Sequence, residues 1–509
     1  MLRHAERLFP AKTAVVDGTE RWTYHELGTR VRRLSQALLT LGIKKGDRLA
    51  VLMLNSHRYL ELYGACLELG VLIVPLNVRL APDEFSYIIN DAEASALVTD
   101  STLLPVVQSI QDDLKSVRAY IYADRGQEQI GMYSYEQLIA ESDELDAPPP
   151  VFEEDVAGLF YTSGTTSHPK GVMLTNRNLY INALQMFVGH MPTEKTVFLH
   201  SAPMFHIAGG ITSWQNFWVG ATHVVQRRFD PQSTFALIEQ ERVTRVVWVP
   251  TMISMLLAQP NAKQVDFSSL QTVIYAGSPI APATLQEALE VFGCEFIQAY
   301  GMTEASPVLT NLIPEDHQVN HLLLSCGREV PGVLVRVVNS KGEEVAPGEV
   351  GEIIACGANI MAGYWRKPQE TSEVLRDGWY FTGDMGTFDE HNYLYIVDRK
   401  KDMIISGGEN ITSIEVEKSL TNHAAVAESA VIGVPDERWG EVVKAFVVLH
   451  PGAQVSENEL IAHCRKHLAA FKCPHSVEFV ETLPKNATGK VLKRDLREPY
   501  WQGQSRRVH

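Results

Sequence analysis

Short apolar runs alternate with segments of helical spacing along most of this chain. Residues 48–54, 71–75 and 96–98 are apolar blocks bounded by polar or turn residues, and they read as buried strands. Residues 59–70 between them read as a helix. Earlier, Thr23 and Glu26 have capping-box spacing, and Trp22 and Leu27 stand where a hydrophobic staple would be. The helix opened there carries Val31, Leu34, Leu38 and Leu41 as one stripe, and Gly42 is its stop. The alternation returns in the middle, with strands at 244–249, 271–275 and 295–299 and helices at 251–258 and 282–292. Such alternation predicts the α/β class, with doubly wound, mainly parallel sheets in a large N-terminal domain. Past Val397 the rhythm changes. A helix from Thr412, with Glu415 at capping-box spacing, precedes strands at 427–434 and 442–449 and predicts a small α+β domain. The expected division is 1–397 and 398–509.

Length agrees, since 509 residues exceed what one ordinary core holds. The apolar share of 45% and charged share of 21% are those of a globular chain. A net charge of −16 argues against a general nucleic-acid binder. The cysteines are scattered without a C-x-x-C pair, which predicts reduced thiols and a cytoplasmic setting. The first residues lack the apolar region of a secretory signal. No apolar run approaches the roughly 20 residues that span a bilayer. A homodimer stays open.

Chemistry concentrates in 161–171, Y-T-S-G-T-T-S-H-P-K-G. Thr162, Ser163, Gly164, Thr165 and Thr166 give hydroxyls and unobstructed backbone N–H groups, and Lys170 adds a positive charge. An apolar strand before it and a helix over 176–187 after it predict a phosphate cradle of the strand–loop–helix kind. It is not a P-loop, because no Ser or Thr follows Lys170. A polar surface turn is the bland alternative. In an open α/β sheet ligands lie beyond the carboxyl ends of strands. Those ends carry Trp248-Val249-Pro250-Thr251, Tyr275-Ala276-Gly277-Ser278-Pro279 and Gln298-Ala299-Tyr300-Gly301-Met302-Thr303-Glu304. A flat ring such as Tyr300 suits a purine. Gly277 and Gly301 permit close approach, Thr303 suits a phosphate oxygen and Glu304 a magnesium ion. Asp384 in its glycine turn is placed to accept ribose hydroxyls, the plain alternative being an Asx-type turn.

These strings, in this order, resemble the adenylate-forming enzymes: acyl-CoA synthetases, aryl-CoA ligases, luciferases and peptide-synthetase adenylation domains. The likeness runs from about Trp22 to Lys493 and is strongest to fatty-acyl-CoA synthetases. It implies an AMP-forming acid–CoA ligase that uses ATP, Mg²⁺ and coenzyme A with a small carboxylic acid. The phosphates then fall to Ser163, Thr165, Thr166 and Lys170, and the α-phosphate and metal to Thr303 and Glu304. Adenine falls to Tyr300, Gly277 and Ser278, with Pro279, Gln298, Ala299, Gly301 and Met302 around it, and the ribose to Asp384 and Arg399. Lys490, in P-K-N-A-T-G-K, matches the family's catalytic lysine, and Asp398 its hinge. Lys401, Ser406, Gly407 and Gly408 are expected along the CoA channel, and His206 beside the acyl carbonyl as a gate. Two departures stand out. Ser167 replaces a glycine of the phosphate loop, and Asn392 replaces a glycine in a turn where Asn tolerates the left-handed conformation.

The acid pocket is expected from Phe205, Trp214, Trp248, Tyr275, Ser278 and Met302, with the small residues 208–210 leaving space. No charged residue stands among them, so the acid should have an uncharged, apolar tail. A medium or long fatty acid ranks first, and an aryl acid sandwiched by the tryptophans second. A peptide-synthetase adenylation domain is disfavoured because His206, not an aspartate, follows Phe205. A luciferase-like oxidase would differ in needing no CoA. A non-catalytic nucleotide-binding protein has no use for Lys490, Glu304 and Asp384 together.

Overall fold

The β-branched and aliphatic runs pair mostly in parallel. The computed structural model describes residues 1–125, 129–162, 169–278, 280–399, 402–406, 409–436, 438–485 and 491–502. The chain divides into two units, Met1–Val335 with Ala355–Tyr380, and Arg336–Ile354 with Phe381–His509. Asp398 lies inside the second unit.

Among its described residues the first unit holds two large sheets. One has nine strands in the order Arg328–Glu329, Val308–Leu312, Glu295–Gly301, Thr272–Ala276, Arg245–Trp248, Val197–His200, Thr222–Val225, Thr13–Asp17 and Glu20–Thr23. Its central pairs are parallel, and antiparallel strands close both edges. The other has eight strands in the order Gly363–Tyr364, Lys170–Thr175, Val156–Thr162, Leu72–Pro75, Arg48–Leu52, Ala96–Thr99, Ala119–Tyr122 and Tyr133–Ser134. Helices between successive strands bury their apolar stripes against these sheets. Helix Tyr24–Thr40 has the expected capping box from Thr23 and Glu26 and buries Val31, Leu34 and Leu38. Helix Pro282–Phe292 has the expected bounds and buries Leu285, Ala288 and Phe292.

Chain order reverses at Val197–His200, which has Thr222–Val225 on one side and Arg245–Trp248 on the other. That is the switch point where doubly wound sheets open a crevice at the carboxyl ends of their strands. The loop carrying Phe205 and His206 leaves from it.

Two local expectations are corrected. The helix expected over 176–187 is present as Asn176–His190, but it does not follow the hydroxyl-rich segment directly, so the strand–loop–helix arrangement is corrected. Lys170–Thr175 is a strand antiparallel to Val156–Thr162, and the helix Asn176–His190 begins only after it. Gly171-Val172-Met173-Leu174 is as good a strand as a helix turn, and the pairing Tyr161 with Gly171 and Thr162 with Lys170 decides it. The hydroxyl-rich segment thus stands between two paired strands in the chain.

The second unit has the expected α+β character. Strands Val426–Asp436 and Gly440–Leu449 form a long antiparallel pair, flanked by helices Ser413–Thr421 and Glu457–His467. The expected capping box at Thr412 is absent. Asp398 serves instead, its carboxylate accepting from the Ser413 N–H at 2.5 Å and the Ser413 hydroxyl at 2.7 Å. A carboxylate satisfies the first-turn donors and complements the helix dipole better than a threonine hydroxyl. Lys493 contacts the same hydroxyl and pairs with Glu417 at 2.7 Å. Asn392 has φ of 61°, as its type allows.

Candidate active site

Four parallel strands of the nine-stranded sheet end on the same edge and deliver the predicted residues there: Phe205 and His206, Val249 to Thr251, Gly277 and Ser278, and Met302 to Glu304. Gly277 takes φ of +90°, a conformation that suits glycine. At Gly301 a Cβ would overlap the carbonyl of Pro307, so the turn into Thr303 and Glu304 needs glycine.

Glu304 is buried, at 9% exposure, and Tyr364 donates its hydroxyl to the Glu304 Oε1 at 3.0 Å. Burial and the Glu304 charge push the Tyr364 hydroxyl far above its ordinary range, so it remains a donor. Lys170 Nζ stands 5.1 Å from the centre of the same ring. The Met361 N–H donates to the Glu304 carbonyl, and Trp365 N–H to the Gly171 carbonyl. Segment 359–365 therefore ties the start of strand Lys170–Thr175 to the Glu304 turn. Asn359 adds to this by donating to the carbonyls of Ala305 and Val308, at 2.7 and 3.0 Å. Sequence reasoning missed Asn359 and Tyr364. The available signal was a lone amide and a tyrosine inside the otherwise apolar N-I-M-A-G-Y string.

His206 caps helix Ile207–Val219, its Nδ1 accepting from the Ala208 N–H at 3.4 Å. The neutral ring then carries its proton on Nε2. Surrounding protein lowers its pKa from the ordinary imidazole value, although its edge is open to solvent.

The expected pocket residues split between two cores, Phe205, Trp214 and Met302 at one and Trp248 and Tyr275 in the other. Trp248 is fully buried, donates to Ser201 and packs on Phe292. Tyr275 packs on Phe296 and hydrogen-bonds His317. Trp214 lies in a different core, edge-on to Tyr63. No sandwich of the two tryptophans exists. Residues 209 and 210 are not spare room either. A Cβ on Gly209 would overlap the Pro203 carbonyl, and one on Gly210 the Tyr63 hydroxyl, so these glycines serve close packing. Phe205 is buried at the helix start, while Met302 and Ser278 are partly open. Tyr300, Gln298 and Ala299 lie in strand Glu295–Gly301, where Tyr300 is 8% exposed and Gln298 approaches the Cys326 sulfur at 3.9 Å. Thr162 ends its strand opposite Lys170.

In the second unit Asp384 and Arg399 face each other across an antiparallel pair, with Nε to Oδ1 at 3.3 Å. Ser406 ends strand Ile404–Ser406. Ser163, Gly164, Thr165, Thr166, Ser167, Pro279, Lys401, Gly407, Gly408 and Lys490 lie outside the described residues. Among the described residues no group of three or more His, Cys, Asp or Glu could hold a metal. A single hard carboxylate, Glu304, beside the Thr303 hydroxyl fits Mg²⁺, which keeps waters and takes substrate phosphate oxygens. No helix among them is long and apolar enough to cross a membrane.

A family model described as AMP-binding enzyme matches residues 2–365, and one described as AMP-binding enzyme C-terminal domain matches residues 415–490. The chain is 41% identical over 499 residues to a feruloyl-CoA synthase of an Amycolatopsis species, covering 97% of each. It is 36% identical to a long-chain-fatty-acid–CoA ligase of Bacillus subtilis, over 96% of this chain and 92% of that one. A solved structure of o-succinylbenzoate CoA synthetase from Bacillus subtilis, in complex with its acyl-adenylate intermediate, superposes with a TM-score of 0.86 at 32% identity, covering 97% of both chains.

Proposed function

We propose a substrate class and an assignment of roles from one premise: the chain belongs to the AMP-binding enzyme family and is an AMP-forming acid–CoA ligase that uses ATP, Mg²⁺ and coenzyme A. The convergence of Lys170 and Glu304 on Tyr364, at the carboxyl ends of the strands, is the observation that carries the roles. A carboxylate must meet the α-phosphate of ATP, and two anions repel. Lys170 lowers the charge at the phosphates, and Glu304 with Thr303 holds the metal-binding corner, which Tyr364 and Asn359 keep in place. Mg²⁺, when bound there, screens the phosphates and polarises them. Ser163, Thr165 and Thr166 are assigned to the phosphates, Gly277, Ser278 and Tyr300 to adenine, and Asp384 and Arg399 to the ribose. Lys490 is assigned to the bridge between the carboxylate and the α-phosphate. Gly407 and Gly408, whose lack of side chains leaves room, are assigned to the pantetheine arm. Scattered unpaired cysteines support a cytoplasmic setting.

The acid in this reading is a monocarboxylic acid with an uncharged tail, with an aryl acid ahead of a plain chain. The feruloyl-CoA synthase likeness supports that order, and the packed glycines at 209 and 210 remove the reason for ranking a long chain first. A fatty acid remains the second reading because of the 36% likeness to a long-chain ligase. The test is pyrophosphate release and thioester formation across cinnamate, benzoate, hexanoate, decanoate, palmitate, an amino acid and a dicarboxylate, with and without CoA. The expected result is CoA-dependent thioester formation, best with an aryl acid. Best turnover of the amino acid or of a dicarboxylate would refute the uncharged-tail reading.

A further inference from the structure

Helix Asn176–His190 carries a polar stripe on a buried face. Asn178, Asn182, Gln185 and Gly189 succeed one another at helical spacing. At the first position the Asn178 amide donates to the carbonyls of Ala358 and Ile360, both at 2.8 Å, immediately before Met361 bonds the Glu304 carbonyl. At the last, a Cβ on Gly189 would lie 3.0 Å from Asn311 Nδ2, in the strand antiparallel to Glu295–Gly301. The stripe therefore runs from the Glu304 loop along the hairpin that carries it. Between these ends Asn182 is 0% exposed and Gln185 3% exposed. Neither amide has a hydrogen-bond partner for its nitrogen or its oxygen among the described residues. Gln185 Nε2 stands 3.8 Å from where a Gly332 Cβ would be, so it faces the segment that follows the hairpin.

Buried amides are almost always satisfied, and two unsatisfied ones a helical turn apart need an explanation. Each offers donors and an acceptor to a neutral oxygen. The stripe carries no charged side chain, so a second carboxylate there would lack a counter-charge. With a rise of about 1.5 Å per residue, Asn182 lies ~6 Å and Gln185 ~10 Å along the helix beyond Asn178. An acid lying along this helix with its carboxyl end toward the Glu304 loop would bring its far end to these two amides.

We propose that Asn182 and Gln185 are specificity-determining residues that hydrogen-bond an uncharged oxygen at the far end of the acid, such as a phenolic hydroxyl. The inference rests on the acid–CoA ligase reading and refines its substrate. A site built to bond an oxygen rejects the analogue that lacks it, because its own amides are then left bare.

The test compares kcat/KM for thioester formation within two pairs, 4-hydroxycinnamate against cinnamate and 6-hydroxyhexanoate against hexanoate. Wild type, Asn182→Leu and Gln185→Met are assayed. Wild type should prefer the oxygenated member of at least one pair by about ten-fold or more. Each variant should reduce that preference by about ten-fold, mainly through KM for the oxygenated acid, while still turning over the plain one. Turnover of the plain acid also reports that the variant folds. Should both variants fail to fold, the wild-type preference decides alone. Equal kcat/KM within both wild-type pairs, or variants that lose both members equally, would overturn the proposal. Wild type inactive on every acid would instead defeat the ligase reading beneath it.

Discussion

Under the proposed roles Glu304 is the magnesium ligand, and the Tyr364 hydroxyl helps to hold its carboxylate. Tyr364 is its neutral donor, buried and bonded at 3.0 Å. A hydrogen bond to a charged group contributes about 1.5–3 kcal/mol, which corresponds to roughly ten- to hundred-fold in rate or affinity. Tyr364→Phe keeps the ring beside Lys170 and removes only this bond. It should lower kcat/KM for ATP by about ten-fold or more and shift the Mg²⁺ dependence to higher concentration, with little change in thermal midpoint. A Mg²⁺ titration that overlays the wild-type curve would show that Tyr364 has no such role. The residues of this corner were unequally legible. Glu304 was visible through the resemblance of Y-G-M-T-E to the family's string, since a lone glutamate in a loop reads by default as solvated. Its partner lies 60 residues away in a two-residue strand, and no local pattern announces a contact of that range. Glycines were legible where a turn demanded φ above zero, as at Gly277, and misread where close packing demanded them, as at Gly209 and Gly210.

Elements followed the hydrophobic pattern wherever burial on a sheet face controlled it, and departed where a distant group took over a local task. The capping signal at Thr412 is outcompeted by Asp398, a carboxylate brought in by another strand. Segment 170–175, locally as good a strand as a helix turn, is settled as a strand by its pairing with Val156–Thr162. Neighbouring parallel strands also hold a feature that no spacing foretold. His200 Nε2 and His223 Nδ1 lie 2.9 Å apart with stacked rings, fully enclosed with Phe198 and Phe217 against them. Burial pushes His200 down to about 3 and holds His223 well below its ordinary value, with the charge of Lys12 adding to the latter. Both folded-state values lie below the unfolded value near 6.5. The pair's contribution is therefore fully present above pH 6.5 and is lost as pH falls toward 3, because the unfolded chain takes up the protons. Each imidazole that must charge lowers stability by about 1.4 kcal/mol per pH unit in that window. Urea unfolding at pH 7.5 and 5.5 should show this loss in wild type and much less of it in a His200→Leu/His223→Leu variant. Parallel losses in the two proteins would remove the pair as the cause.

For the whole molecule, the requirement is that one carbonyl be served in two different ways. Adenylation needs a cation between the carboxylate and the α-phosphate, whereas thiolysis needs that cation withdrawn and a passage for the thiol. The notion that the small domain 398–509 turns about Asp398 between the two steps is what the resemblance implies, since neither pattern nor composition reports a motion. The structure adds a physical reason for attention to this residue. The Asp398 backbone lies in strand Leu394–Arg399, while its carboxylate caps helix Ser413–Thr421 beside the Lys493–Glu417 pair, so it couples the end of one element to the start of the next. Asp398→Pro would lock φ near −65° and also delete the cap, and the two effects must be separated. Asp398→Ala deletes the cap and the bond from the Arg399 N–H, both also lost in the proline variant, at about 1 kcal/mol of stability for the cap, and leaves φ free. If rotation at this residue matters, the proline variant should release pyrophosphate with acid and ATP nearly as wild type does, yet form thioester far more slowly, while the alanine variant should do both. Lys490→Ala should behave conversely, losing adenylation and retaining thioester formation from supplied acyl-adenylate. Equal slowing in the proline and alanine variants would assign the effect to the lost cap, and normal thioester formation in the proline variant would eliminate a hinge at Asp398.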